Sequence, residues 1–184
     1  MAKVLGNVHA YGDTAGAVFV APKGTTMPVG LVAPAAAFVE VGWISEDGVN
    51  IAKEVESSTF PAWQGAKVVK RKPTSSSDSF TFTALEENPA VMQLFLPGAT
   101  AVTATGTTTI TPAAGLVANE HAFVIDFREG ADHKRYNVTL GAVSEYGEVP
   151  HQNGELTAYQ FTVEILEYTI VTNLASLAAP WTTV

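Results

Sequence analysis

A chain of 184 residues is long enough for one domain with a buried core, because folding at this size hides roughly 70% of the unfolded surface. Eighteen acidic residues against ten basic ones give a formal charge of −8. This balance disfavours wrapping of nucleic acid, since phosphate binding needs a surplus of Lys and Arg. Cysteine is absent, which excludes disulfides, Cys-ligated zinc and iron–sulfur clusters. Charged residues make up only 15% of the chain, so much of its surface suits contact with protein.

The elements predicted along the chain are mainly β-strands. Residues 1–37 are rich in Gly, Ala, Pro and Val, and we expect an N-terminal arm or strand region that docks on the same subunit or a neighbour. Strands are predicted where apolar and polar residues alternate: at 38–44, 78–85, 122–128, 136–140 and 159–167. In the last of these, Tyr159, Phe161, Val163 and Ile165 share one face, as expected of a half-buried strand.

A less regular stretch, residues 53–77, is expected to form a long projecting hairpin or loop. Stretches of this length tend to be functional, and this one carries aromatic residues that a purely solvated loop would not favour. It also holds five of the ten basic residues, and the four at positions 67–72 suit an acidic patch on another subunit better than nucleic acid. The candidate contact residues are Phe60, Trp63, Lys67, Lys70, Arg71 and Lys72.

One α-helix is predicted at about 88–96. Asn88 suits the N-cap and Pro89 the first helical position, while Pro97 and Gly98 end the helix. An apolar stripe suited to packing on a sheet is formed by Val91, Leu94 and Phe95.

The C-terminal segment, residues 171–184, is expected to be an arm that docks through Pro180 and Trp181. The whole chain, 1–184, is expected to be a single domain. No segment reaches the roughly 18 consecutive apolar residues of a membrane span, and the N-terminus has no signal-peptide core. The sequence therefore predicts a protein made in the cytoplasm, with no membrane insertion.

Catalytic and metal-binding patterns are weak. Neither phosphate-binding glycine motifs nor H-E-x-x-H nor G-x-S-x-G occurs in the sequence. Asp132 and His133 are the best candidates for a metal or catalytic pair, but they follow an expected hairpin turn and are interpreted as a solvated loop. Glu86 and Glu87 are interpreted as carboxylates at the positive end of the helix dipole rather than an acid/base pair. The sequence predicts no catalytic residue, no metal site and no cofactor.

Four segments, taken in this order and in a chain of this length, resemble the major tail tube proteins of long-tailed, siphovirus-type bacteriophages. The segments are 21–28 (APKGTTMP), 41–49 (VGWISEDGV), 61–65 (PAWQG) and 80–89 (FTFTALEENP). The resemblance implies a β-sandwich or barrel of the phage tail tube type, with one flanking helix and a long loop.

The resemblance also implies a function. Members form six-membered rings that stack into a hollow tail tube, with residues 54–77 reaching the adjacent ring and the terminal segments bridging neighbours. The tube would assemble in the host cytoplasm around a tape-measure protein, with tail terminator and distal tail proteins at its ends. In the virion tail, double-stranded DNA would pass through the lumen without specific binding.

Three other interpretations are open. The chain could be another tail part of related fold, such as a tail terminator, a distal tail protein or the tube of a contractile tail. It could be a carbohydrate-binding β-sandwich, although Trp43, Trp63 and Trp181 are too scattered to form the aromatic row that such a module needs. A small hydrolase has only Asp132 and His133 in its favour.

Overall fold

The computed structural model describes residues 3–178, which fold into a mainly β structure with one α-helix. The elements in chain order are β1 (Ala17–Pro22), β2 (Val39–Glu40), β3 (Ile44–Pro61), β4 (Val68–Ala84), α1 (Pro89–Phe95), β5 (Thr100–Ala104), β6 (Thr107–Thr111), β7 (Glu120–Glu129), β8 (Asp132–Tyr146) and β9 (Tyr159–Thr172). Short 3₁₀ turns lie at Leu5–Asn7 and Ala175–Leu177. The predicted fold class, mainly β with one flanking helix, is confirmed.

Seven strands form one antiparallel sheet in the order β2-β1-β7-β8-β9-β4-β3, while β5 and β6 form a separate hairpin. The sheet curls, because residues of β1 and β2 at one end and of β3 at the other line the same cavity. It stops short of closing into a barrel. In the described part of the chain, the outer edge of β3 has no partner strand, and β2 covers β1 only at Phe19 and Val20.

The concave face of the sheet encloses the main core. The predicted face of β9 is confirmed, since Tyr159, Phe161, Val163 and Ile165 are all buried. Phe80 and Phe82 of β4 are also buried, with ring centroids 5.3 Å from Phe123 and Phe161 respectively. Each fully buried Phe contributes about 1.5–3 kcal/mol relative to an exposed one.

Helix α1 closes one side of this core and follows the predicted pattern. The Asn88 side chain accepts a hydrogen bond from the backbone N–H of Val91 at 3.0 Å, so it caps the helix as expected. Its amide also donates to the carbonyl of Val41 at 2.9 Å, which ties the helix start to the chain beside β2. Val91 and Leu94 are fully buried, and Phe95 packs partly buried against the same core.

The strand predicted at 38–44 is wrong in part. Only Val39–Glu40 forms a strand there, because Gly42 has φ of +83° and breaks the extended run before β3 begins. A Cβ at Gly42 would lie 2.3 Å from the carboxyl carbon of Glu86, so a larger residue would displace that carboxylate. The same carboxylate accepts the Trp43 backbone N–H at 2.8 Å.

The interpretation of Glu86 and Glu87 as dipole-facing carboxylates is therefore wrong. Glu86 supports the bend at Gly42, and Glu87 accepts a hydrogen bond from the Tyr159 hydroxyl at 2.7 Å. Burial, together with this hydrogen bond to Glu87, raises the pKa of Tyr159 to about 12. Both carboxylates thus support tertiary contacts rather than the helix end.

The interpretation of Asp132 and His133 as a solvated loop is also wrong for His133. The hairpin turn is present at Gly130, but His133 is only 5% exposed and its Nε2 lies 2.9 Å from Asp126 Oδ1. Arg135, 1% exposed, donates to both oxygens of the same carboxylate, at 2.6 and 2.7 Å. Burial raises the pKa of Asp126, but the hydrogen bonds from Arg135 and His133 outweigh it and hold that pKa below its usual value.

This buried cluster holds a loop onto the convex face of the sheet. Arg135 Nη1 donates to the carbonyl of Val32 at 2.6 Å and to that of Gly30 at 3.3 Å. Phe38 and Met27 of the same loop pack on a second small core. One half of the convex face, over β1, β7 and the first part of β8, is therefore covered.

Candidate interaction surfaces

The largest projection is the outer part of the β3–β4 hairpin. Strand β4 pairs with β9 only from Asp78 to Ala84, and beyond Asp78 the two hairpin strands pair only with each other, as far as Pro61 and Val68. About nine residues per strand thus extend past the sheet, or about 30 Å at roughly 3.3 Å per residue. The segment expected at 53–77 is therefore an ordered hairpin, with almost every residue exposed.

The tip of this hairpin gathers the predicted contact residues at one end of the molecule. Trp63 is 93% exposed in the turn, and Phe60 is 48% exposed opposite Lys70. The backbone N–H of Ala62 donates to the carbonyl of Lys67 at 2.7 Å and closes the turn. From residue 57 to 77 there are four basic residues and no acidic one, so the tip is strongly basic in an acidic chain. We call residues 60–72 the hairpin tip.

The uncovered half of the convex face is polar and acidic. Register and alternation place one set of side chains of β3, β4, β9 and the end of β8 on this face, opposite the buried Phe80 and Phe82. The hydroxyls of Thr81 and Thr162 meet there at 3.3 Å. As far along the β3–β4 hairpin as the pair Glu56–Ser75, the charged members of this face are all carboxylates: Glu54, Glu56, Glu145, Glu164 and Glu167. We call this surface the acidic face.

Between the two ends of the curled sheet lies a cavity of about 470 Å³, which we call the seam cavity. Val18, Ile44 and Phe127 contribute apolar lining, and exposed Trp43 stands at its side. Four carboxylates line it besides that of Asp126: Asp13, Glu40, Glu46 and Glu86. In the structure as described, Arg128 is the one basic residue in this lining, so the cavity carries a net negative charge.

Two polar atoms of the seam cavity lack partners. Arg128 Nε and Ser45 Oγ are both buried and form no hydrogen bond within the described residues. Buried polar groups of folded proteins are paired in the great majority of cases. The seam cavity is therefore a surface that an additional chain could complete. Sequence reasoning missed it, because its residues come from four separate stretches of the chain.

Sequence reasoning also missed the β5–β6 hairpin. It lies in a stretch, 97–119, that has no charged residue, and its strands are exposed throughout. An isolated two-stranded hairpin is marginal in water. The available signal in the sequence was the pair of threonine-rich runs on either side of Thr105 and Gly106. These two residues form the turn, and both have positive φ.

The remaining predictions concern the C-terminal arm, metal binding and membrane insertion. Pro180 and Trp181 lie outside the described residues. Among residues 3–178, no group of three or more His, Asp or Glu side chains is arranged to hold a metal ion. Nor does that part of the chain contain a helix long and apolar enough to cross a bilayer.

A family model described as "Phage tail tube protein" matches residues 13–180. The chain belongs to the phage tail tube protein family. The resemblance noted from the sequence is thereby confirmed, and the protein is a structural component of a virion tail. No curated protein matches the sequence significantly.

Two solved structures are similar to the chain in fold. One is the virion of a native gene transfer agent particle, with 8% identity and a TM-score of 0.44. The other is the tail of an empty gene transfer agent particle, computed with helical refinement and C6 symmetry, with 9% identity and a TM-score of 0.47. Each match covers 90% of this chain and 100% of the other.

Proposed function

We propose that this tail tube protein assembles into stacked hexameric rings that form the hollow tube of a siphovirus-type tail, through which DNA is delivered to the host. One observation carries the proposal: within residues 3–178, the seven-stranded sheet ends in two bare edges and has a polar face without cover. Bare edges are sites of strand pairing, and pairing β3 of one subunit beside β1 and β2 of the next would remove both. A head-to-tail contact of this kind relates each subunit to the next by a fixed rotation. The subunits close into a ring when a whole number of these rotations makes one full turn.

Within such a ring, the acidic face would line the lumen. As far as the pair Glu56–Ser75, its charged side chains are five carboxylates, and no Lys or Arg lies among them. Phosphate binds proteins through cations, whose neutralisation of charge releases counterions. A wall that offers only negative charge repels the phosphate backbone, so DNA would pass without specific binding.

The remaining parts follow the same scheme. The whole chain, 1–184, would act as one domain, with residues 1–37 and 171–184, including Pro180 and Trp181, bridging neighbours. The hairpin 53–77 would contact the adjacent ring. A tape-measure protein would occupy the lumen during assembly in the host cytoplasm, and tail terminator and distal tail proteins would close the ends. The role is architectural, without a catalytic residue or cofactor.

Negative-stain electron microscopy of concentrated protein, beside light scattering of a dilute sample, tests the assembly. Hollow tubes of uniform width support the proposal. Single rings that never stack would favour a terminator or distal tail protein instead. A chain that stays monomeric even with a tape-measure protein contradicts it.

The lumen assignment has its own test. The double variant Glu145→Lys/Glu164→Lys should still form tubes, but these tubes should retain short double-stranded DNA in low salt and release it in high salt. The matched control, Glu148→Lys/Glu155→Lys, makes the same charge change in the exposed segment between β8 and β9. Equal DNA retention by the two variants, measured by co-sedimentation, would show that the acidic face is not the lumen wall.

A further inference from the structure

The hairpin tip and the seam cavity lie at opposite ends of β3. The strand begins in the cavity, where residues Ile44 to Val49 form part of the lining, and it ends at Pro61 beside the turn. Twelve residues separate Val49 from Pro61, or about 40 Å at roughly 3.3 Å per residue. The tip of a subunit therefore cannot enter its own cavity.

The two surfaces are complementary in charge. The tip presents Lys67, Lys70, Arg71 and Lys72 with no acidic neighbour in the segment 57–77. The cavity presents Asp13, Glu40, Glu46 and Glu86 around a single Arg128. The Asp13 carboxylate accepts a hydrogen bond from the Ala15 backbone N–H and one from the Thr14 hydroxyl, which lower its pKa and keep it ionised. Opposite charges at the rim of an interface fix register and orientation.

The two surfaces are also complementary in shape and polarity. Trp63 leaves 93% of its surface in solvent, which is costly for the largest apolar side chain and typical of an interface anchor. The cavity, at about 470 Å³, is in the size range of protein pockets that take an aromatic group.

We propose that the hairpin tip of one copy docks in the seam cavity of a second copy, with Trp63 as the anchor and the basic side chains against the cavity carboxylates. This inference rests on the proposed function and specifies the acceptor of the inter-ring hairpin. Because the hairpin tip and the seam cavity are different surfaces at opposite ends of one strand, the contact is heterologous. Each copy that accepts a tip still offers its own tip to a further copy, so the contact can repeat from copy to copy. The spacing between successive contacts is up to about 40 Å, the distance from the cavity to the tip along β3.

Disulfide trapping tests the contact directly, since the chain has no native cysteine. The pair Gln64→Cys/Thr14→Cys places one thiol in the tip and one at the cavity. Under mild oxidation, tubes of this variant should give a ladder of dimers, trimers and higher multimers on a non-reducing gel. A mixture of the two single variants should stop at dimers.

The control pair, Gln64→Cys/Thr109→Cys, keeps the tip thiol and moves the second one to an exposed position of β6. It should give no ladder. Tubes of the Gln64→Cys/Thr14→Cys variant without a ladder would overturn this inference and leave the proposed function standing. A wild-type chain that forms no tubes under any condition would overturn both.

Charge reversal provides a second measurement. Lys70→Glu/Arg71→Glu in the tip should raise the concentration needed for tube formation by at least about tenfold, and Asp13→Lys/Glu46→Lys in the cavity should do the same. Combining the two sets should restore assembly towards the wild-type concentration. These side chains are exposed, so circular dichroism should be unchanged. Additive rather than compensating effects would contradict the docking.

Discussion

The inner and outer parts of the β3–β4 hairpin belong to the same two strands but are held in place by different interactions. The inner part pairs with β9 and buries Phe80 and Phe82 completely. The outer part has solvent on both faces, and its backbone pairs only within the hairpin. The comparison shows that a continuous strand can supply a core at one end and an exposed, projecting hairpin at the other. Stability should therefore reside in the inner part and contact with other subunits in the outer part.

The largest expected effect is in the inner part. Phe82→Ala should lower the free energy of unfolding by about 3–5 kcal/mol, because it removes a buried ring and leaves a cavity. Phe60→Ala is the matched control in the outer part and should change it by less than about 0.5 kcal/mol. Chemical denaturation of the dilute subunit measures both. Equal losses would mean that the outer hairpin is part of the folding core.

A smaller effect on the stability of the fold is expected from lowering the pH. The pKa of Asp126 lies below its ordinary value of 3.8, so the ionised carboxylate stabilises the fold above that pH. This stabilisation is lost as the pH falls through the folded pKa. Thermal melts between pH 7 and 2 should show this loss in the wild type. Asp126→Asn should be less stable at pH 7 but should lose less on acidification.

The smallest effect is expected where the two parts join. Lys53 Nζ lies 3.1 Å from Asp78 Oδ1 at the first pair of the outer hairpin. The Tyr168 hydroxyl and Lys53 lower the pKa of Asp78 through hydrogen bonds. Because Lys53 is largely exposed, Asp78→Asn should cost less than about 1 kcal/mol. A loss above 2 kcal/mol, measured by denaturation, would show that the arm is energetically coupled to the core.

The same contrast explains which elements were predictable. The strands expected at 122–128, 136–140 and 159–167 lie within observed strands, and the one expected at 78–85 coincides with β4 as far as Ala84. Each of them packs at least one face against a core, which leaves apolar residues at regular positions in the sequence. The outer hairpin has no buried face and therefore no alternation. Its order comes from pairing between its two strands, which no local pattern records.

The interaction surfaces were predictable only where their residues are close in sequence. The hairpin tip was found because its basic and aromatic residues are consecutive or nearly so. The seam cavity was missed, because Asp13, Glu40 and Arg128 meet only after the sheet has curled. His133 was placed in solvent for a similar reason, since its partners Asp126 and Asn173 come from other strands or their ends and meet it only in the folded sheet.

The bare edge of β3 also sets how the subunit behaves before it has neighbours. An unpaired edge invites pairing with any extended chain, and aggregation is the usual result. Strand β3 carries charged residues at positions 46, 47, 53, 54 and 56. Such residues disfavour the pairing of an exposed strand edge with an unrelated extended chain. A correctly placed neighbour must supply enough contacts to overcome them. If the subunits polymerise as proposed, polymerisation should accordingly be nucleated, with a lag at moderate concentration that a preformed ring abolishes.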